Sequence, residues 1–155
     1  MRKASSRTRT PASPAATTSN LGFLLAKASA RWNDLLAAAF ATRGYPDVRP
    51  SYGSILLPLF EQDGLRIGEL GERARLPKQT MTTLIRQMER DGLLTRSHDS
   101  ADGRAWRIQL TPRAKRFRQV AEDVLADLDA RIAEHLSRQT TEEVRRALAT
   151  LVELA

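Results

Sequence analysis

The feature that most constrains the fold of this 155-residue chain is a change of apolar periodicity at Gly92. Before this glycine, apolar side chains recur every three or four residues, which is typical of amphipathic helices. After it, residues alternate over 94–98 and again over 106–110, which predicts the two strands of a hairpin. The connector, Asp99 to Gly103, has the composition of a turn, so we expect a flexible acidic tip.

Two short helical patterns precede the hairpin. The first covers residues 66–76, and the second begins at Pro77 or Lys78 and continues to Asp91. The break falls there because proline is tolerated in the first turn of a helix but not in its interior. Gly92 is suited to cap the second helix. Two short helices joined by a tight turn form a helix-turn-helix, and the hairpin makes it a winged one.

Two further helical patterns lie ahead of this unit. They cover residues 21–43 and 51–62, and Pro58 is expected to kink the second because it removes a backbone donor. Residues 1–20 are instead rich in Ser, Thr, Pro and Ala, with four basic and no acidic side chains. Such a segment cannot form a core, so we expect a disordered basic tail, although the composition also suits an organelle transit peptide.

The chain after the hairpin is helical again. Thr111 and Pro112 are expected to cap and start a long helix. A last helix is expected to begin with Thr140 or Thr141 as its cap and Glu143 as the reciprocal partner. The predicted fold class is therefore mainly α (α+β): a winged helix-turn-helix with a two-stranded β wing and N- and C-terminal helices.

Basic side chains are concentrated in the predicted winged unit. Residues 66–118 carry 13 basic and six acidic side chains, whereas residues 119–155 carry four basic and eight acidic ones. The formal net charge is +7. A uniformly solvated surface does not require such segregation, so the pattern indicates a partner that carries phosphates.

Composition argues against several other functions. The absence of cysteine excludes a disulfide framework, a thiol nucleophile and a thiol-based sensor. With two histidines, the sequence predicts no metal site, and we expect no cofactor. The sequence contains no glycine-rich phosphate loop, and it has no nucleophile, base and orienting acid at a spacing that is characteristic of an active site, so we expect no enzymatic activity. No apolar run approaches the roughly 18 residues of a membrane span, and we expect a cytoplasmic protein associated with the bacterial nucleoid.

The motifs of the winged unit resemble those of the MarR family of transcriptional regulators. Leu70–Ala74 is similar to the family's first motif helix, Thr80–Leu94 to its recognition helix and exit, and Asp102–Arg104 with Leu110–Thr111 to its wing signature. The resemblance implies a sequence-specific regulator of double-stranded DNA. It also implies a repressor that acts as a homodimer on a palindromic operator.

The resemblance covers a single domain at residues 21–155. It assigns residues 50–112 to the winged helix-turn-helix, and residues 21–49 and 113–155 to dimerisation, where long apolar stripes exceed what a small core can cover. A monomer that buries these stripes internally is the alternative. The alanine, turn glycine and capping serine that are usual in the family are replaced here by Gly71, Arg75 and Pro77. We therefore expect a local difference in the turn of the motif.

The second motif helix has an apolar side and a polar side. Its outward residues match base edges and phosphates of the major groove, and they are Lys78, Gln79, Thr80, Thr82, Thr83, Arg86 and Arg90. In the wing, the resemblance implies that Arg104 enters the minor groove and that Asp102 orients it. Arg96 and Arg107, with the basic residues of 113–118, are expected to contact phosphates. An ordinary solvated helix face and an ordinary Asp-Gly turn are the alternatives.

The resemblance further implies a small aromatic effector that binds between the dimer helices and the winged unit and shifts the dimer away from its DNA-binding shape. The candidate wall residues are Trp32, Tyr45, Tyr52 and Trp106. Aromatic side chains at such spacing also form ordinary core. The alternative function is a winged-helix module that binds proteins without reading DNA, and a flat salt dependence of nucleic-acid binding would favour it.

Overall fold

The computed structural model describes residues 19–154, and these form the predicted helices and strands in the predicted order, with one added strand. The predicted tail at residues 1–20 lies almost entirely outside them. The elements are α1 (Leu21–Thr42), α2 (Gly53–Glu61), β1 (Leu65–Arg66), α3 (Ile67–Ala74), α4 (Lys78–Arg90), β2 (Leu94–His98), β3 (Trp106–Leu110), α5 (Pro112–Leu136) and α6 (Arg138–Val152). A short 3-10 turn at Pro50–Tyr52 precedes α2, and α2 continues through Pro58. None of the described helices is long and apolar enough to span a bilayer.

The chain divides into two units, at residues 1–35 and 36–155. The described part of the first unit is the beginning of α1, where the backbone N–H of Phe23 donates to the Asn20 side chain over 2.9 Å. This bond satisfies one of the free backbone donors at the helix start. Leu21, Phe23 and Leu24 are exposed on this part of α1.

The core of the second unit is apolar and draws on α2, α3, α4, the sheet and α5. The apolar side of α4 contributes Met81, Ile85 and Met88, at the three- and four-residue spacing that the sequence shows. The aromatic rings of Phe40 and Phe117 meet edge to face with their centroids 4.9 Å apart. Burying an apolar side chain such as Met81 or Ile85 stabilises the fold by roughly 1.5–3 kcal/mol. The apolar side of α4 therefore faces the core, and its polar side faces outward.

The sheet has three strands in the order β1-β3-β2, not the two that the sequence predicts. Strands β2 and β3 form the predicted hairpin, with Leu94 paired to Leu110 and His98 to Trp106. The added strand β1 is antiparallel to β3, with Arg66 opposite Arg107. Two residues are too few to show alternation, so this strand was missed.

Capping residues determine where the helices begin and end. Thr111 accepts a hydrogen bond from the backbone N–H of Ala114, and Gly92 has a φ of 69°, so both predicted caps are confirmed. The cap predicted for the last helix is wrong. α6 begins three residues earlier than Thr141, and the hydroxyl of Ser137 accepts from the backbone N–H of Thr140 over 3.3 Å. Glu143 instead accepts a hydrogen bond from the Gln139 amide.

Arg75 occupies the turn of the helix-turn-helix, where the family's usual glycine is absent. Its φ of 49° and ψ of 38° place it in the left-handed region, which glycine adopts without steric cost. The backbone therefore keeps the conformation that a glycine would suit, even though the side chain is an arginine. Gly71 lies nearby, and a Cβ there would come within 3.3 Å of the Met81 sulfur. The close approach of α3 and α4 explains a small residue at this position.

Candidate nucleic-acid interface

The outward side of α4 is polar along its whole length. All seven residues that the sequence assigns to it are exposed: Lys78, Gln79, Thr80, Thr82, Thr83, Arg86 and Arg90. The hydroxyls of Thr82 and Thr83 donate to the carbonyls of Lys78 and Gln79, over 2.9 and 3.0 Å. With their protons used within the helix, the two threonines present a methyl group and acceptor lone pairs outward. They are therefore better suited to a thymine methyl than to a phosphate.

The cations of α4 are available for a partner. Among residues 19–154, no carboxylate forms an ion pair with Lys78, Arg86 or Arg90. Several other basic residues of the winged unit are engaged within the protein, as described below. Selective availability of this kind marks the outward side of α4 as the surface that can neutralise phosphates.

Arg104 lies at the tip of the wing and is exposed, and the described residues offer it no ion-pair partner. The resemblance implied that Asp102 orients its guanidinium. The structure shows a different contact, because the Asp102 carboxylate accepts a hydrogen bond from the backbone N–H of Arg104 over 3.0 Å. Ala105 also donates to the carbonyl of Asp102. Asp102 therefore fixes the backbone of the turn, and the Arg104 side chain stays exposed.

Asp99 anchors the wing tip, which the sequence predicted to be flexible. Its buried carboxylate accepts from Arg66 Nε at 2.7 Å, and Arg107 Nε lies 2.8 Å from the same oxygen. The backbone N–H of Ala101 donates to the other oxygen over 2.8 Å. The hydrogen bond from Arg66, followed by that from Ala101, holds the pKa of Asp99 well below its ordinary value of 3.8. This carboxylate joins the tip to β1 and β3 and gives the wing a fixed base.

Two predicted phosphate contacts in the wing are occupied within the protein. Arg107 binds Asp99 and also donates to the carbonyl of Gly64 over 2.7 Å. Arg96 donates to both carboxylate oxygens of Glu89, over 2.6 and 2.8 Å. Both arginines are therefore paired within the protein, and their predicted contacts with phosphates stay predictions.

A cleft of about 730 Å³ lies between α4 and β2, where Arg96 meets the helix. It is lined by Thr83, Arg86, Glu89, Arg90 and Arg96. Three of these side chains are guanidinium groups, and one is a carboxylate. The cleft is thus a cationic depression that continues the outward side of α4 toward the wing.

Most of the basic residues that follow the wing are also paired. Arg113 binds Asp47 through two hydrogen bonds of 2.6 and 2.8 Å, and this contact lowers the pKa of Asp47. Lys115 pairs with Asp63, and Arg118 with Glu122. The phosphate contacts predicted for residues 113–118 stay predictions, and Arg116 is the one of these basic side chains that has no ion pair within the described residues.

The four aromatic residues predicted to line an effector pocket lie on separate features. Trp32 is half-buried on α1, and Tyr45 packs against Phe117 with ring centroids 4.9 Å apart. Tyr52 is fully buried and donates to the Asp91 carboxylate over 2.6 Å; burial, followed by that bond, raises its pKa to about 12. Trp106 lies on the wing and packs against His98, with the ring centroids 3.9 Å apart and the ring planes tilted by 33°. Tyr52 is therefore a core residue, and Trp106 belongs to the wing.

Comparisons with known proteins point to one family. The MarR family model matches residues 50–106, which are the helix-turn-helix and most of the wing. The organic hydroperoxide resistance transcriptional regulator of Bacillus subtilis is 32% identical over 107 residues, covering 67% of this chain and 69% of the relative. A transcriptional repressor of the helix-turn-helix type from Mycobacterium tuberculosis is 29% identical over 131 residues, covering 84% of this chain and 92% of the relative.

Solved structures share the fold. The transcriptional repressor CouR, bound to a 23-mer DNA duplex, superposes with a TM-score of 0.78 at 21% identity, covering 93% of this chain and all of that one. The same repressor bound to p-coumaroyl-CoA superposes with a TM-score of 0.77 at 19% identity, covering 92% of this chain and 99% of that one. The resemblance seen in the motifs is confirmed, and this chain belongs to the MarR family.

Proposed function

We propose that this chain is a sequence-specific, DNA-binding transcriptional regulator that acts as a repressor, in the cytoplasm and on nucleoid DNA. The observation that carries the proposal is the outward side of α4, whose three cations are unpaired within the described residues, beside the equally unpaired Arg104 of the wing. Two of its relatives, a transcriptional repressor and a repressor bound to a DNA duplex, support the same function. No catalytic role is proposed for any residue.

Each element has a place on the duplex. The width of α4 fits the major groove, where Gln79 can pair with adenine, Arg86 with guanine or a phosphate, and the Thr82 methyl with thymine. The tip of the wing carries Arg104 toward the adjacent minor groove, whose negative potential attracts an arginine. Asp99 and Asp102 keep the tip in position without contacting DNA themselves.

A homodimer would use the helices that flank the winged unit, at residues 21–49 and 113–155. α6 contains no buried residue, and it exposes Val144, Leu148 and Val152 along one side. Exposed apolar stripes of this length are covered in most proteins by a partner. Two-fold symmetry would repeat α4 about 34 Å away, one turn of DNA, so the operator would be palindromic. Residues 50–112 would then be the DNA-binding part of each subunit.

A bound small molecule is the mode of regulation that we propose. The Bacillus subtilis relative is named for organic hydroperoxide resistance, but this sequence has no cysteine whose thiol could be oxidised. The structure of CouR with p-coumaroyl-CoA is an example of an aromatic ligand in this fold. We therefore propose an aromatic effector that releases the operator.

The proposal is tested by selecting DNA sites from a random pool with the wild-type chain and with Gln79→Ala and Arg86→Ala. We expect a palindromic consensus for the wild type and a loss of preference at one position of each half-site for each variant. Failure of the wild type to enrich any site, together with DNA binding that does not weaken with salt, would instead favour a protein-binding winged-helix module.

A further inference from the structure

The cationic cleft between α4 and β2 contains one carboxylate, that of Glu89. Arg96 Nε donates to Glu89 Oε1 over 2.6 Å, and Arg96 Nη2 donates to Oε2 over 2.8 Å. The guanidinium carbon of Arg96 also lies 6.0 Å from the centre of the Trp106 ring. Arg96 is thus held by a helix residue on one side and a wing residue on the other.

The contact with Glu89 has the geometry that an arginine uses to grip a phosphate. Carboxylate and phosphate groups both accept two parallel hydrogen bonds from one guanidinium, so Arg96 cannot serve Glu89 and a phosphate with the same two donors. The side chains of Arg96 and Glu89 keep 38% and 23% of their surface exposed. Solvent and an incoming anion can therefore reach the pair, and a phosphate, which accepts the same two hydrogen bonds, can displace the carboxylate.

The rest of the cleft is suited to a phosphate that is already aligned. Arg86 and Arg90 line it, and no carboxylate in the described part of the chain pairs with either. These two cations attract the DNA backbone, whereas the Glu89 carboxylate repels it. Which effect prevails depends on whether the backbone approaches closely enough for Arg96 to exchange partners.

We propose that this cleft binds a backbone phosphate of DNA, and that Glu89 competes with that phosphate for Arg96. The inference rests on the proposed function and adds a means of discrimination to it. On DNA that is not an operator, Glu89 keeps Arg96 occupied and weakens binding. On an operator, α4 docks fully, and a backbone phosphate comes close enough to displace the Glu89 carboxylate from Arg96. Specificity thus gains from a repulsive element that acts mainly on the wrong partner.

The test compares the wild type with Glu89→Gln and, as a control for net charge, Glu142→Gln. Glu142 lies on α6 and pairs with Arg145, which keeps a second partner in Asp129. Binding to the selected operator and to a random duplex of equal length is measured from about 50 to about 300 mM salt, a range in which the affinity depends strongly on the number of phosphate contacts. Glu89→Gln is expected to bind the random duplex about tenfold more tightly and the operator no more than about threefold more tightly, whereas Glu142→Gln changes both by less than about twofold.

A second variant separates competition from a merely structural contact. Under the proposal, Arg96→Gln removes a phosphate ligand, so the slope of log K against log salt for the operator falls by about 0.9 per subunit. If Arg96 and Glu89 only brace the wing, that slope is unchanged and Glu89→Gln weakens binding to both duplexes; either result overturns the proposal. If the wild type binds neither duplex, the proposed function itself has failed. Thermal melts of all variants show whether a loss arises from unfolding.

Discussion

Replacing Arg104 and Arg107 separately should give opposite results, although both are wing arginines three residues apart. Arg104 is exposed and makes no side-chain contact that stabilises the described fold. Its replacement by alanine should change the free energy of unfolding by no more than about 0.5 kcal/mol. Arg107 binds the buried Asp99 and the Gly64 carbonyl. Its loss removes one hydrogen bond and one ion pair, but its side chain is 39% exposed and Arg66 remains beside Asp99, so we expect about 1–2 kcal/mol.

The effects on DNA binding should be reversed. A specific arginine contact to DNA contributes about 1–3 kcal/mol, and a homodimer makes it twice. Arg104→Ala should therefore cost at least about 2 kcal/mol, which is about a 30-fold weaker affinity for the operator. Arg107→Ala should weaken binding less, at a temperature where the variant is folded, because its guanidinium group is already paired with Asp99 and the Gly64 carbonyl.

Fluorescence anisotropy on a labelled operator, together with thermal unfolding of the free protein, measures both quantities. For Arg107→Ala we expect a melting temperature lower by about 2–8 °C, and for Arg104→Ala a melting temperature close to that of the wild type. The reasoning is refuted if Arg104→Ala binds the operator as tightly as the wild type, or if it melts as early as Arg107→Ala.

Three further variants test the fold that carries the site. Tyr52→Phe loses the 2.6 Å hydrogen bond to Asp91 and should lower the free energy of unfolding by about 1–2 kcal/mol in urea titrations; an unchanged midpoint would contradict this. Arg75→Gly should raise it by about 1 kcal/mol because φ is 49°, and a less stable variant would show that the left-handed turn is not strained. Because the folded-state pKa of Asp99 is depressed, its stabilisation is present above pH 3.8 and is lost as the pH falls through the folded value. Asp99→Asn should therefore flatten the acid unfolding curve, and a curve as steep as that of the wild type would count against this role.

The sequence was sufficient for the helices and for the outward side of α4, because both follow from the spacing of apolar residues. Met81, Ile85 and Met88 face the core, and this alone turns Arg86 and Arg90 outward. The caps at Gly92 and Thr111 were predictable for the same reason: each is a local property of a few neighbouring residues.

Whether each charged side chain is paired within the protein could not be predicted, because pairing depends on contacts between distant parts of the chain. Arg66 meets Asp99 across 33 residues, and Arg107 meets the Gly64 carbonyl across 43. The short strand β1 makes both contacts possible, and a two-residue strand leaves no periodic signal. The sequence thus predicted a basic wing, whereas the structure shows that Arg104 is the side chain at its tip that is left available.

The most direct test of the account is to map α4 and the wing on the operator by tethered cleavage. Because the sequence has no cysteine, Gln79→Cys and Gly103→Cys each provide one attachment site for an iron chelate, and the Gly103 position has open space around it. Our account predicts cuts inside each half-site from position 79 and cuts in the flanking minor groove from position 103, both repeated symmetrically about the centre of the palindrome. Cleavage without symmetry, or none from position 103, would contradict it.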